Sequence, residues 1–181
     1  MLFLWGSSGT GKTVLSLETL KIKISHFKSQ NKTVKVIVTQ FWPTDTLLLE
    51  NIRQKYLINI SDVQILPLKQ LSQELNIQWN LEHPRDLINN VISSLSSAKT
   101  HDITIFLCDE IFPSDNVGQT TPDWRDVMTP DNVQWILSFR PTGISKETIN
   151  LTPPSQSSVV LERKLIHGHR NAYQIRSAGI S

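Results

Sequence analysis

The chain has 181 residues, of which 39% are hydrophobic and 19% are charged, and its net charge is +2. This length suits one domain with its own core, and so small a net charge does not by itself indicate a nucleic-acid or membrane partner. The apolar runs are shorter than the ~20 residues that a membrane-spanning helix needs. One cysteine excludes an internal disulfide and suits a reducing compartment. We therefore expect an intracellular protein, cytoplasmic or nuclear.

Short apolar strands alternate with helices along most of the chain. Apolar or β-branched runs predict strands at 2–5, 34–39, 63–68, 103–110, 132–140 and 159–165. Apolar residues at helical spacing predict helices at 11–28, 43–57, 68–75, 83–99 and 167–178. Strands that are apolar throughout and alternate with helices are typical of an α/β fold with a mostly parallel central sheet.

The pattern predicts a single domain over residues 1–181. Its core is expected at 1–140. The segment 141–158 is rich in Pro, Ser and Thr, which favours a mobile linker. A terminal strand and helix are expected at 159–181.

A glycine-rich turn follows the first predicted strand. The first five residues, MLFLW, lack the basic segment and the length of a signal peptide, so a buried strand explains them better. Residues 6–13 read GSSGTGKT and fit the phosphate-binding pattern G-x-x-x-x-G-K-[ST] between a strand and a helix. Glycines let backbone N–H groups surround a phosphate, and the helix N-terminus favours an anion. The predicted nucleotide-binding residues are Gly6, Ser7, Ser8, Gly9, Thr10, Gly11, Lys12 and Thr13.

Two acids, Asp109 and Glu110, end the apolar run ITIFLCDE. Ligands of open α/β sheets bind at the carboxyl ends of the strands. We expect Asp109 and the hydroxyl of Thr13 to hold Mg²⁺, and Glu110 to orient and deprotonate the attacking water. Lys12 is expected to contact the β- and γ-phosphates, which makes Lys12 and Glu110 catalytic candidates. The alternative is a strand that ends in two solvated acids.

A later strand, in the segment WILSFRP, carries Ser138 and ends at Arg140. A polar residue at this position of a P-loop NTPase can sense the γ-phosphate, and Arg140 can stabilise charge on the transferred phosphoryl group. The alternative is an arginine paired with a surface acid. Phe41 and Trp42, just after a strand end, are candidates for stacking on bases, with plain packing as the alternative.

The order of these motifs resembles the first motor domain of superfamily 1 helicases of the UvrD/Rep type. GSSGTGKT matches motif I of that family, FLCDE is similar to motif II, and VIVTQFWPTDTLLLENIRQKY looks like motif Ia. The resemblance implies a RecA-like three-layer P-loop NTPase sandwich that binds ATP with Mg²⁺ and hydrolyses it. It also implies that single-stranded DNA or RNA contacts the motif Ia residues, which are Thr39, Gln40, Phe41 and Trp42.

The end of the chain resembles motif IV of the same family. In LERKLIHGHRNAYQI, Arg170 takes the place of the arginine that reaches the γ-phosphate, and His169 replaces the usual tyrosine. The segment WILSFRP stands where motif III would be, without its Gly-Asp and Gln. The upstream adenine-contacting glutamine segment and the second motor lobe are not in this chain. The expected partners are therefore a nucleotide, single-stranded nucleic acid and a second lobe.

Two other hypotheses remain open. The ending ILSFRP also resembles the Thr-Ser-Arg-Pro-like sensor of NACHT-type signalling ATPases, which are nucleotide-dependent oligomerisation switches. A nucleotide-binding remnant without turnover is the third possibility. No Asn-Lys-x-Asp segment of the guanine-reading type is present, which favours ATP over GTP.

Overall fold

The computed structural model describes residues 1–6, 10–41, 62–111, 127–139 and 161–165, with side chains described at all of these except 5–6 and 161–165. The elements in chain order are β1 (Leu2–Gly6), α1 (Lys12–Ser29), β2 (Val34–Gln40), β3 (Val63–Pro67), α2 (Leu68–Glu74), α3 (Pro84–Ala98), β4 (Ile103–Ile111), β5 (Val133–Phe139) and β6 (Leu161–Leu165). These strands and helices agree with the sequence prediction to within a few residues. The helices predicted at 43–57 and 167–178 and the linker at 141–158 lie outside the described residues.

The six described strands form one sheet in the order β3-β2-β4-β5-β1-β6. Each of its neighbouring pairs is parallel, which confirms the prediction of an α/β fold with a parallel sheet. Because all strands run the same way, their carboxyl ends lie along one side of the sheet, which we call the carboxyl edge. The strand β5 separates β1 from β4 in the sheet.

Helices cover both faces of the sheet. Leu17, Leu20 and Ile24 of α1 pack with alternate strand residues, among them Ile105 and Leu107, and we call this side the α1 face. On the opposite side, which we call the α3 face, the helices α2 and α3 pack against the other set of alternate strand residues. This set includes Ile37, Phe106 and Trp135. The result is an α/β sandwich whose two cores have the period-two pattern of a sheet buried on both sides.

The strand β4 contains a bulge near its carboxyl end. Cys108 pairs with Leu137 and Ile111 pairs with Phe139, so two residues of β4 lie opposite one residue of β5. Glu110 occupies the bulge in a left-handed conformation with φ of 59°. In a regular strand, residues 109 and 111 would share a face, but the bulge lets Ile111 join the α3-face core. The strand thus continues one residue beyond its predicted end.

Among the helices in the described ranges, none combines the length and the apolarity that a bilayer crossing requires.

Candidate functional site

A side-chain hydrogen bond joins α1 to β4 at the carboxyl edge. The hydroxyl of Thr13 donates to Oδ2 of Asp109 at 2.6 Å, across 96 positions of sequence. The other carboxylate oxygen, Oδ1, accepts the backbone N–H of Glu110 at 3.0 Å. Asp109 is only 2% exposed, so both of its oxygens are satisfied inside the protein. The fold therefore brings together the two residues that the sequence predicted as metal ligands.

The amino end of α1 lies at this edge without a side chain that caps it. Gly11 stands at the N-cap with φ of 88°, a conformation that glycine adopts without strain. Within the described residues no side-chain hydrogen bond caps the helix, and its first turn carries no acidic residue. The N–H groups of such a turn, with the positive end of the helix dipole, favour an anion.

The predicted phosphate loop is described in part. Gly6 ends β1, Thr10 and Lys12 are buried beside the start of α1, and Thr13 is half-buried. Ser7, Ser8 and Gly9 lie outside the described residues. Lys12 is 4% exposed, and a lysine so strongly buried needs charged or polar groups around it.

Three polar side chains on the α1 face lie at or near the carboxyl ends of three neighbouring strands, and we call them the polar row: Gln40 of β2, Asp109 of β4 and Ser138 of β5. Gln40 is the register partner of Asp109, and Ser138 lies opposite the bulge on the other side. All three are buried, and the hydroxyl of Ser138 has no hydrogen-bond partner within the described part of the chain. A buried hydroxyl without a partner costs about 1–3 kcal/mol.

The oxygen atoms gathered here suit a hard divalent cation. Mg²⁺ prefers oxygen ligands, and in phosphate-binding sites it uses one or two carboxylates together with water and phosphate oxygens. The Thr13 hydroxyl and the Asp109 carboxylate form such a donor pair. In the described ranges no three residues among His, Cys, Asp and Glu converge as a metal-binding group, so an all-protein metal cage is not found there.

Comparisons with known proteins do not extend this description. No family model matches the chain. A search of curated proteins gave no match either.

The residues predicted to contact nucleic acid do not form one surface. The Thr39 hydroxyl donates to the backbone oxygen of Leu107 at 3.1 Å within the sheet, and the Phe41 ring packs 6.1 Å from the Trp79 ring in the α3-face core. Gln40 points to the α1 face instead, and Trp42 lies outside the described residues. Nucleic-acid contact at this strand end stays a prediction, and the burial of Thr39 and Phe41 does not favour it.

Of the remaining predicted site residues, Glu110 lies in the described part of the chain and two arginines do not. Glu110 is half-buried next to Asp109 at the carboxyl edge. Arg140 follows directly after β5 and Arg170 follows β6, but both lie outside the described residues. Sequence reasoning missed Ser16, whose buried hydroxyl has no partner among the described residues. The available signal was a small polar residue on the apolar face of α1.

Proposed function

We propose that this chain binds Mg-ATP at the carboxyl edge and hydrolyses it, as a RecA-like P-loop ATPase domain resembling a helicase motor lobe. The observation that carries the proposal is the hydrogen bond between Thr13 and Asp109. The motif patterns select these two residues independently, for the same metal ion. A parallel sheet with helices on both faces and a polar carboxyl edge also supports this reading.

Phosphate binding rests on the start of α1. Gly11 turns the chain so that the first N–H groups of the helix point outward from its amino end. Lys12 adds a positive charge at the first helical position, and the first turn of the helix contains no acidic residue. In the G-x-x-x-x-G-K-[ST] pattern, a helix N-terminus and a lysine together hold the phosphates of a nucleotide, which supports a triphosphate as the ligand.

Metal binding rests on Thr13 and Asp109. The Thr13 hydroxyl and Oδ2 of Asp109 are close enough to share one cation. When bound, Mg²⁺ would neutralise charge on the β- and γ-phosphate oxygens. The Glu110 N–H holds the second carboxylate oxygen and so fixes the direction of the first.

In the proposed hydrolysis, Glu110 is the base that accepts a proton from the attacking water. The oxygen of a water molecule bonds to the γ-phosphorus, the bond from that phosphorus to the β–γ bridging oxygen breaks, and Glu110 accepts the proton of the water. The products are ADP and inorganic phosphate. Arg140 and Arg170 are proposed, from the motif resemblance, to stabilise charge on the transferred group.

The test is nucleotide binding by titration calorimetry for the wild type, Lys12→Ala and Asp109→Asn. We expect Lys12→Ala to weaken Mg-ATP binding by about tenfold or more, the scale of one charge-assisted contact. Asp109→Asn should remove the dependence of ATP affinity on Mg²⁺. Lys28→Ala is the matched control, because Lys28 is exposed at the far end of the same helix. Wild-type affinity in Lys12→Ala would overturn the proposal.

Turnover and assembly separate the three hypotheses. A helicase-like lobe should hydrolyse ATP faster when single-stranded DNA or RNA is present. A signalling switch should retain its nucleotide and self-associate in only one nucleotide state, which sedimentation velocity detects. A remnant should bind Mg-ATP without releasing phosphate.

A further inference from the structure

Gln40 is the member of the polar row that lies on β2. It is the last residue of β2 and is 5% exposed. It pairs in register with Asp109, and the N–H of the next residue, Phe41, donates to the backbone oxygen of Asp109 at 2.9 Å. The alignment of β2 with β4 is therefore fixed at the position where the acid stands.

The side chain of Gln40 lies on the same face as the metal-binding pair. Val36 and Val38 of β2 belong to the α1-face core, and Ile37 belongs to the opposite core, so alternation places Gln40 on the α1 face. Neighbouring strands lie about 4.8 Å apart, which brings paired side chains within contact distance. Asp109 is thus flanked by Gln40 on one side and on the other by Ser138, whose hydroxyl has no hydrogen-bond partner among the described residues.

A carboxamide in this place has a definite chemical capacity. Its NH₂ group donates and its oxygen accepts, so it can contact a phosphate oxygen and a water molecule at once. It cannot take up the proton of that water at neutral pH. A glutamine here orients a nucleophile, and a separate carboxylate must act as the base.

We infer that Gln40 is a positioning residue of the hydrolytic site, an inference that rests on the proposed function. Its carboxamide orients the attacking water in line with the γ-phosphorus, and Glu110 accepts the proton as the bond to the bridging oxygen breaks. The hydroxyl of Ser138 contacts the same ligand from the opposite end of the row. This gives Gln40 a role at the nucleotide rather than at a nucleic-acid strand.

The test compares Gln40→Met with Gln134→Met. Methionine has a similar length and volume but no amide, so the buried space stays filled. Gln134 is also a glutamine on the α1 face, at the opposite end of β5, where it accepts a hydrogen bond from Lys23 at 3.1 Å. Both variants and the wild type are assayed for kcat and KM, and for affinity toward Mg-ADP with and without aluminium fluoride, which mimics the transferred phosphoryl group.

The expected result is specific to the transition state. Gln40→Met should lower kcat by about tenfold or more, because misplaced reacting groups lose rate at this scale. Its affinity for Mg-ADP with aluminium fluoride should fall by a similar factor, since the orienting contact forms only with the mimic. KM and the affinity for Mg-ADP alone should change less than about twofold. Gln134→Met should match the wild type in all four quantities.

Mg-ADP binding by the wild type distinguishes a failure of the proposed function from a failure of the inference about Gln40. If the wild type binds no Mg-ADP, the proposed function is wrong and the inference falls with it. If the wild type binds Mg-ADP and Gln40→Met retains full affinity for the aluminium fluoride complex, the inference alone is overturned. Should Gln40→Met unfold, Gln40→Asn keeps an amide on a shorter stem and should show the same selective loss.

Discussion

The hydroxyl of Thr13 donates to Oδ2 of Asp109 at 2.6 Å, and this bond ties the first turn of α1 to the carboxyl end of β4. The carboxylate is buried, and its second oxygen is held by the N–H of Glu110. A buried carboxylate that loses one donor is costly, because its charge is then incompletely solvated. The bond between Thr13 and Asp109 therefore joins two elements of the fold, and we expect a change at either residue to affect stability.

Replacing Thr13 by valine should show how much the hydroxyl contributes to stability, because valine keeps the shape of the side chain. Thr13→Val removes the donor to Asp109, and we expect a loss of about 1–3 kcal/mol in the free energy of unfolding without nucleotide. Thr13→Ser retains the donor and should lose much less. Urea denaturation measures both variants, and equal stabilities would contradict a structural role for this bond.

The pair Thr33 and Asp102 should make stability depend on acid pH. The N–H and the hydroxyl of Thr33 both donate to Oδ2 of Asp102, at 2.8 and 2.7 Å. These hydrogen bonds hold the pKa of Asp102 below its ordinary value. Since the folded pKa is the lower one, the stabilisation is complete above the pKa of the unfolded chain. It is lost as the pH falls through the folded value.

The contribution of the Asp102 carboxylate is measured by comparing the free energy of unfolding of the wild type with that of Asp102→Asn. The stability difference between them should be constant at neutral pH and should shrink as the pH falls below about 4. Denaturant unfolding at a series of pH values measures it. A difference that does not change with pH would show that Asp102 is not responsible.

The thiol of Cys108 should not react with thiol reagents in the folded protein. Burial raises the pKa of its thiol to about 12, so the reactive thiolate is scarce at pH 8. We expect no reaction with a disulfide reagent such as Ellman's until the chain is unfolded. Ser25→Cys, at an exposed position of α1, provides a reactive comparison in the same protein. Rapid labelling of Cys108 in the native wild type would argue against this burial.

The left-handed conformation of Glu110 should be detectable as backbone strain. A residue with a Cβ at φ near 60° costs roughly 1–2 kcal/mol that glycine avoids. We expect Glu110→Gly to be more stable than Glu110→Ala by about 1 kcal/mol, although both lose the carboxylate and should lose hydrolysis equally. Glu82, which is exposed and has no positive φ, is the control position, and there alanine should be at least as stable as glycine.

Much of the fold could be predicted because its signals are local. The apolar run of β4 and the helical spacing in α1 each lie within one segment, and so does the glycine-rich turn that ends in Lys12 and Thr13. The position of Asp109 at a carboxyl edge followed from the parallel sheet. These signals need no knowledge of which strands are neighbours.

The polar row could not be predicted in the same way. Gln40 faces Asp109 only because β2 lies beside β4 in a particular register, and Ser138 completes the row because β5 lies on the other side. Strand order is set by the packing of the whole chain and has no local signature. The motif resemblance also grouped Thr39 and Phe41 with Gln40, although the alternation of side chains along β2 sends Thr39 and Phe41 to the opposite face.

The bulge in β4 divides the strand into two phases. Before the bulge, odd-numbered residues of β4 lie on the α1 face and even-numbered residues lie on the α3 face. After the bulge, Ile111 lies on the α3 face although its number is odd. A one-residue insertion or deletion between 103 and 108 would shift Asp109 to the α3 face and aim it into the core, away from Thr13. The number of residues between the start of β4 and its bulge therefore decides whether the Asp109 carboxylate lies on the same face as Thr13.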